Sequence, residues 1–239
     1  MSGAVPPEPL RRATARALID VGAIEMQIDR PFLMSSGLAA PVFVDCRRLI
    51  SHPSARQVVI EGLAETLARR TRDIESVAGG ETAGIPFAAW VAQTAGLPMH
   101  YVRKRPRGLG PHAQVEGRVR PGQRVALIED MTVDGSSKLR FAEALRRAGA
   151  EVTDALVIFL YDALPGAADA LADKGLRLHH LASWQDVIAV AEEDGSFPAA
   201  ALATLKEFLA DPAAWSGANG GSPAPRHPLT IGSAKPERD

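Results

Sequence analysis

Glu129 and Asp130 are adjacent carboxylates that follow an uninterrupted apolar run, Val125 to Ile128, and precede the small-residue stretch Gly135-Ser136-Ser137. An acidic pair can accept hydrogen bonds from neighbouring hydroxyls. A small-residue loop that opens a helix presents backbone N–H groups and the positive end of the helix dipole, which suits a phosphate. The carboxylates would repel that phosphate, so the two functions have to lie side by side, and a ribose 5-phosphate carries both kinds of group. A second candidate anion loop is Gly79-Gly80-Glu81-Thr82-Ala83-Gly84, again ahead of a helical pattern; on its own it is a weak signal. A third feature is the basic run Arg103, Lys104, Arg105 and Arg107, broken up by Pro106, Gly108, Gly110 and Pro111. Those breakers disfavour helix and strand interior, so a mobile basic loop able to cover an anion is expected. The plainer readings are a solvated turn or a nucleic-acid patch, and the chain has no second basic cluster to support the latter.

The elements that must position these groups follow from periodicity. Val125 to Ile128 fits a central strand buried on both faces. Leu139, Ala142, Leu145 and Ala148 mark the apolar stripe of a helix that stops at Gly149. Further strands are expected over 74–78, 99–103, 152–160 and 176–181. Helices are expected from Pro9 to near Gly22, after a cap at Ser51 or Ser54, to Ala95, over 167–174, from a Ser183 cap through Val190, and over 198–209. Residues 32–35 and 42–45, flanking the Ser36-Gly37 turn signal, read as a hairpin. Strands interleaved with helices give an α/β fold, a parallel sheet flanked by helices with right-handed crossovers. Residues 1–8 read as a disordered lead-in, 9–210 as the domain with a small hood over 23–50, and 211–239, rich in Pro, Gly, Ser and Ala, as a disordered tail. Ending the chain after Asp211 is therefore expected to change neither activity nor stability.

The 239 residues, 46% of them hydrophobic, are enough to fill one core, and the net charge of −1 gives no global basic field for nucleic acid or anionic membrane. A single cysteine, Cys46, excludes an internal disulfide and a Cys-based zinc site. No apolar run is long enough to span a bilayer, and the N-terminus lacks signal-peptide order, so cytoplasm is the expected location. Gly108-Leu-Gly-Pro-His-Ala113 matches the dinucleotide fingerprint only formally, because Arg and Pro precede it in place of a buried strand. His179 and His180 would point to opposite faces of a strand, which argues against a shared metal.

The stretch from Val125 to Ser137 resembles the phosphoribosyl-pyrophosphate (PRPP) motif of type I phosphoribosyltransferases. Three further stretches, Ser36-Gly37 with 41–49, 78–87, and 101–108, resemble the orotate phosphoribosyltransferase family, in colinear order over residues 10 to 210. The resemblance implies a type I phosphoribosyltransferase fold and transfer of phosphoribosyl from PRPP to orotate, giving orotidine 5′-phosphate and pyrophosphate in pyrimidine biosynthesis. Mg²⁺ would be carried by PRPP and would be reached by Glu129 and Asp130 through water at most; the enzyme would be a homodimer with shared sites. PRPP would be held by Thr82, Ala83, Arg103, Lys104 and Arg107, and by the motif Glu129, Asp130, Met131, Thr132, Val133, Asp134, Gly135, Ser136 and Ser137. Glu129 and Asp130 would grip the ribose 2- and 3-hydroxyls, and the amides of Gly135, Ser136 and Ser137 the 5-phosphate. Arg107, Glu129 and Asp130 would be the catalytic set, and orotate would meet Ser35, Phe43 and Val133.

Several positions depart from the family pattern. Arg107 stands where a catalytic lysine is usual and is a poor proton donor. Leu109 replaces a histidine, making His112 the nearest imidazole. Val133 and Ser35 replace a threonine and a lysine that touch the base. Asp134 lies inside the phosphate loop and is expected to turn its carboxylate outward. The alternatives are a phosphoribosyltransferase for another base, and a non-catalytic PRPP-binding regulatory protein.

Overall fold

A computed structural model describes residues 6–34, 36–71, 73–110, 113–163 and 166–223. Ser35 and His112, named above, lie outside them, as do residues 1–5 and 224–239. The centre is a six-stranded mixed sheet of β5 (Ser76–Gly80), β6 (Met99–Val102), β7 (Val115–Glu116), β8 (Arg124–Thr132), β9 (Glu151–Leu160) and β10 (Arg177–Ser183), in the order β10-β9-β8-β5-β6-β7. All neighbours are parallel except β6 and β7. The expected parallel sheet flanked by helices is therefore present, with an antiparallel edge strand of two residues, β7, added to it.

The central strands are buried on both faces, and their side chains alternate between two cores. Ala126, Ile128, Leu156 and Ile158 enter one core. It is covered by α1 (Glu8–Asp20), α2 (Pro53–Arg70), α3 (Gly84–Ala95), α6 (Trp184–Asp194) and α7 (Ala199–Ala210). Val125, Leu127, Ala155 and Val157 enter the other, under α4 (Ser136–Arg147) and α5 (Ala167–Asp173). An unbroken apolar run is what such a two-sided strand requires. The helices after β5 and β8 leave toward opposite faces, so the strand order reverses between these two strands. At such a switch point the loops diverge and open a crevice at the carboxyl ends of the strands.

The expected helix over 183–190 is present as α6, with the Ser183 capping box formed by Asp186 at N3. The cap of α2 is His52, followed by Pro53 at N1, and neither Ser51 nor Ser54 serves. The expected single hairpin is replaced by two short ribbons. β1 (Ile24–Met26) pairs with β4 (Val42–Val44), and β2 (Phe32–Leu33) pairs with β3 (Ala39–Ala40). A 3-10 turn, Cys46–Ser51, joins this hood to α2.

The expectation of an unstructured segment from residue 211 is corrected for residues 212–223. Asp211 caps a further helix, α8 (Pro212–Ala218), its side chain accepting from Ala214 N at 2.9 Å. Trp215 meets Phe208 edge-on at 5.5 Å. Ser216 Oγ accepts from Ala39 N (2.9 Å) and donates to Ser222 O (2.7 Å), and Ser222 N donates to Gly37 O (2.8 Å). Gly221 is required there, since a Cβ would stand 2.4 Å from Ala39 N. The segment straps the hood ribbon to α7.

Candidate active site

A cleft of about 1060 Å³ opens at the switch point. Its floor is the end of β8 and the start of α4, one side is the turn Glu81-Thr82-Ala83 after β5, and the hood adds Val44, Asp45 and Arg47. Lys104 and Arg105 stand at the rim. The peptide between Glu81 and Thr82 is cis.

Glu129 and Asp130 lie within β8, which runs on to Thr132 beyond the expected strand. Their side chains therefore project to opposite faces. Glu129 shares the face of Leu127 and tucks under α4, where it is 6% exposed. Its Oε2 is 3.2 Å from Lys138 Nζ, while Oε1 has no hydrogen-bond partner among the described residues. Burial drives the Glu129 carboxyl up to about 7, against the pull of the Lys138 ammonium, and the neighbouring Asp130 charge raises it further. Asp130 turns toward the hood, half-buried, and its carboxylate makes no hydrogen bond or ion pair among the described residues. Nearby, Arg47 is held by Asp45 through Nε–Oδ1 at 2.5 Å and Nη2–Oδ2 at 2.9 Å.

The phosphate loop is partly closed on itself. Gly135, in the left-handed region at φ +75°, donates its N–H to the buried Thr132 Oγ1 at 3.1 Å, so that amide does not face the cleft as expected. The Asp134 carboxylate accepts from Ser136 N (3.0 Å) and from Ser136 Oγ (3.0 and 3.1 Å). This corrects the expectation of an outward Asp134. A carboxylate satisfies the orphan donors of a helix start as a phosphate does, and here the loop supplies its own. Met131, Val133, Ser136 and Ser137 line the cleft, with Val133 exposed at its mouth.

The basic loop divides. Lys104 reaches the cleft, and its N–H donates to Glu81 Oε2 at 2.7 Å, which ties the loop to the turn after β5. Arg103 does not line the cleft; its Nε donates to Glu116 Oε1 at 2.6 Å and its guanidinium also reaches Tyr101 OH at 3.2 Å. Arg107 lies outside the cleft on an exposed segment flanked by Gly108 and Gly110, both at positive φ. Phe43 packs against Phe32 at 5.7 Å and is not part of the cleft wall. Among the described residues no three His, Cys, Asp or Glu side chains converge as a metal cage, and no helix is long and apolar enough to cross a membrane.

Sequence reasoning passed over Lys138 and Arg47. Lys138 carried a legible signal, since a cation in the first turn of a helix opposes the dipole and calls for a specific partner.

No protein-family model matches the chain. An orotate phosphoribosyltransferase of Cereibacter sphaeroides is 46% identical over 215 residues, covering 89% of this chain and 93% of that protein. One from a Ruegeria species is 44% identical over 214 residues, covering 89% and 95%. Among solved structures, the orotate phosphoribosyltransferase of Aeropyrum pernix superposes with a TM-score of 0.65 at 32% identity, covering 77% of this chain and 99% of that one.

Proposed function

The chain belongs to the orotate phosphoribosyltransferase family, and from that premise we propose that the cleft between β5 and β8 is where it transfers phosphoribosyl from PRPP to orotate, a step of pyrimidine biosynthesis. The observation that carries this reading is the open acceptor beside a phosphate-type loop. Asp130 faces the cleft without a protein partner, and the start of α4 lies on the same floor.

In this reading Asp130 accepts from a ribose hydroxyl, while Glu129, its Oε1 buried and its Oε2 on Lys138, lies beneath the floor and does not take the second hydroxyl expected of it. Ser136 and Ser137 hold the 5-phosphate at the helix start once Asp134 has released Ser136. Thr82 and Ala83 line the side where pyrophosphate departs, and Lys104 and Arg105 supply charge above it. As the C1–O bond breaks through an oxocarbenium-like state, charge collects on the leaving group, so a fixed cationic rim stabilises the transition state more than the ground state. Val133, at the cleft mouth, borders the base. Arg47 is a further cation on the hood side, where the orotate carboxylate would approach.

The acceptors present fit a magnesium ion that arrives on the substrate, because Asp130 can take a hydrogen bond from a metal-bound water. Bound with PRPP, Mg²⁺ supplies charge neutralisation on the pyrophosphate. Arg107, which does not line its own cleft, fits a role over the site of a partner subunit in a cytoplasmic homodimer. Mixing an Arg107→Ala chain with a Glu129→Ala, Asp130→Ala chain should then restore activity that neither has alone; two parents that stay inactive after verified subunit exchange would refute the shared site.

The reading is tested by calorimetry of PRPP on Asp130→Ala. Hydrogen bonds to charged groups contribute about 1.5 to 3 kcal/mol, so affinity should fall roughly ten- to hundredfold with the fold intact. Unchanged affinity would remove Asp130 from the ribose site.

A further inference from the structure

We propose that Lys138 is a positioning residue for the ribose-phosphate half of the substrate, acting through Glu129 and the phosphate loop. This rests on the reading of the cleft given above. Lys138 is 5% exposed, in the first turn of α4. Its ammonium meets Glu129 Oε2 at 3.2 Å, the Met131 carbonyl, and Ser137 Oγ at 3.3 Å.

An ammonium has three N–H donors and no acceptor. Three acceptors on two elements, Glu129 and Met131 at the end of β8 and Ser137 at the start of α4, therefore use all of them. Lys138 has no donor left for a phosphate and is not itself a substrate ligand. What it does is fix Glu129 in place. Oε2 is bound, and Oε1 is buried and closely walled beside the Gly80 backbone: a Cβ on Gly80 would lie 2.5 Å from it and one on Gly84 2.2 Å. Phe141 closes the same space, 2.4 Å from a Cβ on Gly80. The two glycines bracket the turn after β5, so the Glu129 carboxylate sits where the pyrophosphate side and the phosphate loop meet.

A purely structural account fits poorly. Burying an ammonium carries a desolvation cost, the helix dipole opposes a cation at this end, and a well-packed apolar pair at such a site is often as stable or more so. The arrangement is explained if its product is the end of β8 and the start of α4 held in register beneath the cleft.

The test is a double-mutant cycle of Lys138→Met, Glu129→Gln and the double variant, read by binding of PRPP and of ribose 5-phosphate, with KM for orotate and kcat measured in parallel. Lys138→Met should weaken both phosphosugars at least tenfold and change KM for orotate less than twofold. Because Lys138 acts through Glu129, the double variant should bind no more weakly than the worse single one. Additive losses, or a lowered melting temperature with unchanged phosphosugar binding, would overturn the proposal. Should Lys138→Met fail to fold, the double variant, which removes both charges of the pair, and Lys138→Arg, which should bind better than the double variant, keep the comparison. Wild-type protein that binds neither phosphosugar would instead refute the reading of the cleft itself.

Discussion

Asp134 is the residue at which the sequence pattern and the atomic arrangement meet most directly. Its carboxylate holds Ser136 N and Oγ, two of the groups a phosphate would need, so the loop is closed by its own side chain until a ligand displaces it. Asp134→Gly removes that competitor and the like charge beside the phosphate. PRPP affinity should rise about ten- to hundredfold, as expected from releasing charged hydrogen bonds of about 1.5 to 3 kcal/mol. Equal affinity in the variant would mean that the carboxylate swings away at no cost. The chemistry-bearing types were partly legible in the sequence at this scale: the acidic pair, the serines and the basic run were named, while the cations Lys138 and Arg47 were passed over. Their directions were not. Glu129 and Asp130 diverge because both belong to the strand, Gly135 spends its N–H on Thr132, and Arg103 is drawn off by Glu116. Each of these contacts depends on a partner that spacing alone does not reveal.

Elements were legible in proportion to their length and burial. β8 and β9 announce themselves as apolar runs because both faces are covered, and α4 by its stripe and terminal glycine. β2, β3 and β7, two residues each, are too short for any period to register, so the hood's pairing could not be read. α8 was missed for a different reason. Asp211 followed by Pro212 is a helix-start signal, but the small-residue composition around it obscured that signal. Its contacts make a prediction opposite to the one composition suggested. Ending the chain after Asp211 leaves the buried Ala39 N–H without its acceptor and Phe208 without its aromatic neighbour. These are losses of about 1 to 3 and 0.5 to 1.5 kcal/mol. The melting temperature should drop by about 5 to 10 °C in a calorimetric scan, and KM for the base should rise, because β3 feeds directly into β4 and the Val44-Asp45 wall. A truncated chain with unchanged melting temperature and KM would show that the strap bears no load.

For the whole molecule, the order β10-β9-β8-β5-β6-β7 accounts for the location of the chemistry. Helices departing to opposite faces after β5 and β8 open one crevice, and every loop that reaches it carries acceptors or cations. Two cores of buried side chains back that edge, and the exposed basic segment stands beside it, tied to the turn after β5 through Lys104 N–H and Glu81. In the proposed function this crevice performs phosphoribosyl transfer to orotate, despite the departures from the family pattern at Arg107, Leu109, Val133 and Asp134. The most direct test is a coupled pyrophosphate-release assay with PRPP, Mg²⁺ and a panel of bases. Orotate should drive release in the wild type well above any other base, and Asp130→Ala should reduce kcat/KM for PRPP by at least tenfold. Tight PRPP binding with no orotate-dependent pyrophosphate release, or faster release with another base, would contradict it.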